Sequence, residues 1–214
     1  MTTILLIRHG ESAANRDDMF AGNYDAKLME RGFEQARCSA KFIKENYKVD
    51  KVYASDLHRA YNTGKCVADA FGLEVEASAR FREIDAGEWE GVRFSEIYER
   101  WPEEFTVWMN DLPHGYCPGG ETVHELGERI FGEVSRVARE NDGKTIVIAT
   151  HATPVRVAYT MAKYGSVEKI EENPWPSNAS VSVLYYENGS WSCGEYSLDK
   201  HMGDLCTYLP NDVE

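Results

Sequence analysis

The sequence contains no apolar run approaching the roughly 20 residues that cross a bilayer. Its start, Met1-Thr2-Thr3 and a short apolar run ending at Arg8, lacks the cationic segment and cleavage site of a secretory leader. No membrane partner is expected, and the chain reads as cytoplasmic. It is also poor in paired cysteine. Cys38, Cys66, Cys117, Cys193 and Cys206 are odd in number, far apart and never in a CxxC pair, so free thiols are expected. Positive charge is scarce: 23 basic residues against 36 acidic give a formal net charge of -13. Such a surface repels nucleic acid and anionic membranes. A small anion can bind only where a few arginines concentrate charge locally. No repeat, linker or low-complexity tract interrupts the 214 residues, so residues 1–214 are expected to form a single domain. Its association into a homo-oligomer is left open.

What is present alternates. Residues 4–7 are a short apolar run that stops at Arg8-His9-Gly10-Glu11-Ser12, as a buried strand delivering a polar loop would. Phe33, Ala36, Ala40, Ile43 and Tyr47 recur at helical spacing. Val52-Tyr53-Ala54 predicts a second strand, Ser55 sits where an N-cap belongs, and Ala60, Val67 and Phe71 mark the helix after it. Residues 73–75 suggest a third strand. Residues 89–117 differ: they carry seven rings, are broken by Pro102 and Pro113, and read as an insertion of short helices over the sheet edge. Val123, Leu126, Ile130, Val134 and Val137 predict a long amphipathic helix. Residues 145–150 are the clearest strand, and Thr153-Pro154 opens another helix. Residues 181–186 and 191–196 alternate as two strands around an Asn188-Gly189 turn. This order predicts a three-layer α/β/α sandwich with a mostly parallel central sheet.

Two histidines stand at predicted strand ends, His9 and His151, and ligands of open α/β sheets bind beyond the carboxyl ends of strands. They meet only if their strands are neighbours, which periodicity does not decide. Paired histidines also suit a metal. Yet Glu11 and Glu83 lie beside Arg8 and Arg82, arginine repels a divalent cation, and no HExxH or cysteine cluster occurs. Arg8 beside His9 is better suited to clamping an oxyanion.

Leu6-Ile7-Arg8-His9-Gly10-Glu11-Ser12, followed by Asn15, resembles the signature of the histidine phosphatase superfamily, the phosphoglycerate mutase-like group. So do Gly22, Asp25, Leu28, Gly32 and Gln35-Ala36, then Ser55-Asp56-Leu57-His58-Arg59-Ala60 with Thr63. Arg82-Glu83-Ile84 with Gly87 and Trp89-Glu90-Gly91, Pro118-Gly119-Gly120-Glu121, Thr150-His151 with Pro154-Val155-Arg156, and Asn178-Ala179-Ser180-Val181 continue the match. Such blocks in this order span most of the chain.

The resemblance implies the phosphoglycerate mutase-like fold and a metal-independent, cofactor-free hydrolysis of a small phosphorylated metabolite. His9 is then the nucleophile that carries phosphorus, and Glu83 the acid and base. Arg8, Arg59 and His151 surround the phosphoryl oxygens, with Gly10, Asn15, Gly22 and Ala152 completing the phosphate site. Gly10 is expected to leave room for the phosphate. The sequence departs from the family at Ala152, where glycine is usual, at Met29, where a helix-capping hydroxyl is often found, and at Ala21 and Ala86, where mutases contact substrate. Between Glu83 and Glu121 the basic residues are only Arg93, Arg100 and His114, with no adjacent arginine pair. Hydrolysis is therefore expected in preference to mutase-type phosphoryl transfer. A silent phospho-ligand module is disfavoured, because Arg8, His9, Arg59, Glu83 and His151 are all present.

Overall fold

The computed structural model describes residues 1–207. In chain order the elements are β1 (Thr2–Arg8), α1 (Ala13–Arg16), β2 (Met19–Phe20), α2 (Glu30–Asn46), β3 (Lys51–Ala54), α3 (His58–Phe71) and β4 (Val75–Ala77). There follow β5 (Val92–Arg93), α4 (Phe94–Arg100), α5 (Pro102–Asn110), α6 (Val123–Glu140), β6 (Thr145–Thr150), α7 (Ala152–Tyr164), β7 (Val181–Glu187) and β8 (Ser190–Cys193). The main sheet runs β4-β3-β6-β1-β7-β8. The first four strands of that order are parallel; β7 is antiparallel to β1, and β8 to β7. It is a mixed, mostly parallel sheet with helices on both faces.

The continuous apolar runs of β1 and β6 follow from that layering, because alternate side chains leave a strand on opposite faces. Ile4, Leu6, Ile146 and Ile148 pack with Leu126, Ile130 and Val134 of α6 and Val155 and Ala158 of α7. Leu5, Ile7, Val147 and Ala149 pack with Ala40 and Ile43 of α2 and Val67 and Ala68 of α3. The β7–β8 turn has Asn188 and Gly189 both at positive φ, 51° and 83°, the conformation a tight hairpin demands.

Several local expectations shift. The third strand is Val75–Ala77 rather than residues 73–75. Helix α3 starts at His58 with Leu57 as an uncapped N-cap, so Ser55 is not its cap. Pro154 falls in the third position of α7, which already opens at Ala152. Met29 does precede α2 without any side-chain cap. The aromatic segment pairs β5 with β2 and folds α4 and α5 over the loop after β1, where Phe20 meets Trp89, Phe94 and Trp108 ring to ring. His58 is half-buried, and its Nδ1 accepts from the Leu28 amide at 3.3 Å. Of the C-terminal stretch, Lys200–Leu205 forms a 3-10 turn against α2, where His201 stacks on Phe42 at 4.6 Å. Tyr208 and Leu209 lie outside the described residues.

Candidate active site

The register of β1 against β6 ends with Arg8 opposite Thr150. The next residues, His9 and His151, therefore emerge side by side at the carboxyl edge of the sheet, and the His9 amide donates to the Thr150 carbonyl at 2.9 Å. Their rings meet edge to face with centroids 5.2 Å apart. Strand β3 ends one position away, pairing Ala54 with Ala149, so Ser55 joins them.

A pocket of about 560 Å³ opens over this edge. Arg8, His9, Asn15, Gly22, Arg59, Glu83, Ala152 and Asn178 all line it. His151 has no exposed surface and packs its ring edge to face against His9. Gly10 is not among the lining residues. The reason for glycine there is packing: a Cβ would lie 2.3 Å from the Gly32 carbonyl oxygen. The expectation that Gly10 leaves room for phosphate gives way to one in which its backbone serves His9.

That backbone service is specific. The Nδ1 of His9 lies 2.7 Å from the Gly10 carbonyl. A carbonyl can only accept, so Nδ1 carries the proton and Nε2 keeps a free lone pair. Burial, and then the charges of Arg59 and Arg8, hold the His9 imidazole well below the usual histidine range. All three causes favour the neutral ring.

Both arginines are anchored through their ends. Arg8 Nη1 donates to the Pro176 carbonyl at 2.5 Å, and Arg59 Nη1 and Nη2 donate to the carbonyls of Tyr24 and Gly22 at 2.9 and 2.7 Å. Burial lowers each guanidinium to about 10, which leaves both charged at neutral pH. The Nε of Arg8, the Nε of Arg59, Nδ1 of His151 and Oδ1 of Asn178 are buried with no partner. Orphaned polar atoms of this kind are costly, and here they gather at one edge of the sheet. Three of the four belong to side chains that can donate to an anion. Ser55 Oγ, 2.9 Å from His151 Nε2, also accepts from the Leu57 amide, so its own hydrogen is free for Nε2. His151 Nδ1 is then an N–H donor, although burial and Arg59 keep that ring neutral as well.

Glu83 faces the histidines from the loop after β4. Its carboxylate accepts from the Ile84 and Thr153 amides at 2.9 and 3.3 Å. Burial nevertheless pushes its pKa up, outweighing those amides and Arg59. Asn15 accepts at Oδ1 from the Ser12 amide and hydroxyl, at 3.0 and 2.9 Å. Its amide nitrogen is thereby left as a donor.

Some contributors carried no sequence signal as site residues. Arg129 donates to the carbonyls of Arg80, Arg82 and Glu83 at 3.0 to 3.1 Å and forms a fork with Glu121, fixing the loop that bears Glu83. Pro176 and Trp175 come from a loop after α7. These act through main-chain atoms or a single ring, which no motif spacing reports. Asn178 belonged to a recognisable block but not to the expected site; its Nδ2 donates to the His9 carbonyl at 3.1 Å. Among the described residues no group of three or more His, Cys, Asp or Glu is placed to hold a metal ion, and no helix is long and apolar enough to cross a membrane.

An α/β sheet presenting a histidine, two buried arginines and a buried carboxyl group at its carboxyl edge suits phosphoryl transfer. The chain belongs to the histidine phosphatase superfamily (branch 1), whose family model matches residues 4–199. It is 30% identical over 208 residues to phosphoserine phosphatase 1 of Hydrogenobacter thermophilus, covering 96% of both chains. It is also 30% identical to phosphoglycerate mutase-like protein 4 of Arabidopsis thaliana, over 93% of this chain and 86% of that one. Among solved structures, YhfR of Bacillus stearothermophilus superposes with a TM-score of 0.88 at 25% identity, over 94% of this chain and all of the other.

Proposed function

We propose that the chain is a metal-independent phosphatase that hydrolyses a small phosphomonoester through a phosphohistidine on His9. The observation that carries this is the tautomer of His9. With Nδ1 committed to the Gly10 carbonyl, Nε2 is a neutral nucleophile beside two fixed guanidinium groups. In the first step the Nε2 lone pair attacks phosphorus, the ester P–O bond breaks, and Glu83 gives its proton to the departing oxygen. In the second, Glu83 takes a proton from water, the oxygen attacks phosphorus, and the N–P bond breaks to release phosphate. Arg8, Arg59 and the Nδ1–H of His151 stabilise the charge that grows on the phosphoryl oxygens. Asn15 adds a neutral donor, while Ala152 and the first amides of α7 supply partial positive charge. Gly22 contributes its carbonyl to hold Arg59.

The carboxyl group has to be protonated to act first as acid, and the raised pKa of Glu83 supports this assignment. A mutase needs cations for a second anionic group of its substrate. Among the described residues lining the pocket the basic side chains are Arg8, His9 and Arg59, all taken up by the reacting phosphoryl group. Hydrolysis is therefore the favoured outcome. The five cysteines, all free, fit a reducing cytoplasm, and residues 1–207 read as one folding unit around one sheet.

The test is phosphate release from p-nitrophenyl phosphate in EDTA by the wild-type chain and by His9→Ala. Turnover in the wild type, its loss in His9→Ala, and acid-labile radiolabel on the wild type after a quench with labelled ester are expected. Undiminished activity in His9→Ala rules the mechanism out.

A further inference from the structure

Phosphoserine, the substrate in a relative's name, carries a carboxylate and an ammonium group beside its phosphate. The pocket of this chain is built for something else. Outward from His9 and the arginines, its wall is made by Phe20, Phe94, Phe105, Trp108, Met109 and Trp175. Phe20 and Trp108 are buried and pack edge to face at 5.1 Å; Phe94 lies 5.7 Å from Phe20 and 6.3 Å from Phe105, centroid to centroid. These rings are held by one another and present a fixed apolar surface rather than loose side chains.

The charge on the same wall points the same way. Beyond the groups assigned to the reacting phosphoryl, Asp18 is the charged side chain in the lining, and among the described residues it forms no ion pair. The remaining segment, residues 208–214, contains no lysine or arginine that could add a cation. A substrate carboxylate would thus lose its water against aromatic rings and meet another carboxylate, with no basic partner to compensate. A flat uncharged group would instead displace water from apolar surface.

Building on the hydrolytic reading above, we infer that the physiological substrate is the monophosphate of an uncharged alcohol with an apolar or aromatic face, and that amino-acid and carboxylic-acid phosphates are rejected. Specificity lies with α4 and α5, which carry four of the six wall residues (Phe94, Phe105, Trp108 and Met109).

An aryl phosphate would win on leaving-group ability alone, so the comparison uses alkyl esters. kcat/KM is measured for 2-phenylethyl phosphate, L-phosphoserine and 3-phosphoglycerate with the wild type, Phe105→Ala, Met109→Arg and, as a control, His9→Ala. The wild type should favour 2-phenylethyl phosphate by roughly 100-fold or more. Phe105→Ala should narrow that ratio by slowing the phenylethyl ester alone. Met109→Arg, at an exposed position on the rim, should narrow it by raising turnover of the two carboxylates. Equal or better turnover of phosphoserine by the wild type, with all activity lost in His9→Ala, overturns the inference and leaves the histidine mechanism standing. No phosphate from any ester overturns the mechanism, and the inference with it.

Discussion

The guanidinium of Arg156 lies over the ring of Trp175, 4.2 Å from its centroid. The same group donates from Nε to the Asn173 carbonyl and from Nη2 to the Ile170 carbonyl, at 2.9 and 3.0 Å. One residue beyond Trp175, the Pro176 carbonyl receives Arg8. Arg156 thus holds, without lining the pocket, the loop whose carbonyl aims Arg8.

Replacing it by lysine keeps the charge but loses the planar fork, so at most one carbonyl stays paired. Arg156→Lys should destabilise the chain by about 1–3 kcal/mol, the cost of a buried acceptor left alone. It should raise KM for p-nitrophenyl phosphate more than it lowers kcat, since Arg8 is misplaced before the chemistry begins. Urea unfolding and steady-state kinetics on the same preparation separate the two effects. An unchanged KM in a destabilised protein would show a purely structural role.

The pH profile follows from two opposed shifts. His9 must be neutral, which holds above its pKa, and that pKa is lowered by burial and by Arg59 and Arg8. Glu83 must be protonated, which holds below its pKa, and that pKa is raised by burial. Activity, read as kcat/KM, should therefore be greatest on the acid side of neutrality and fall as pH rises through the Glu83 pKa. Glu83→Gln should abolish that alkaline limb and leave a slow, flatter profile. A rate that climbs between about pH 6 and 7, as a histidine of ordinary pKa would give, contradicts the assignment.

Gly10 and Gly32 touch through their backbones, and a Cβ on Gly32 would in turn lie 2.2 Å from the Glu11 carbonyl oxygen. Neither neighbour is a flexible side chain that could move aside. Gly10→Ala should cost about 3 kcal/mol, at the upper end for overpacking, and should displace the carbonyl that selects the His9 tautomer. Both the denaturation midpoint and kcat should fall. A fully active, fully stable Gly10→Ala protein would contradict the packing argument.

Met29 precedes α2 with extended backbone angles, φ -84° and ψ 164°, and no side-chain hydrogen bond to the first amides. A hydroxyl there would satisfy one of them. Met29→Ser should gain about 1 kcal/mol. In a chain of this size that raises the melting temperature by roughly 2–4 °C. Activity should not change, because Met29 does not line the pocket.

The chain announces its alternation of strands and helices through local chemistry. Periodicity of apolar side chains, an Asn-Gly turn and a polar cluster after each buried run are all short-range signals, so the layered fold and the emergence of His9 and His151 at strand ends were legible from the residues. So were the missing cap at Met29 and the aromatic character of residues 89–117. Ser55 shows where such reading fails. Its type and position suit an N-cap, but its hydroxyl is engaged by His151 from a strand far away in sequence.

Long-range pairing decided the rest. That β6 slots between β3 and β1 is what makes two histidines neighbours, and no pattern within either strand encodes it. Tertiary packing also decided that Trp89 is core while Phe105 faces the pocket, although both are rings in one segment. Side-chain chemistry is written residue by residue. The proton on Nδ1, the orphaned arginine nitrogens and the raised carboxyl pKa arise only when distant segments exclude water from a shared space, and that exclusion belongs to the folded chain as a whole.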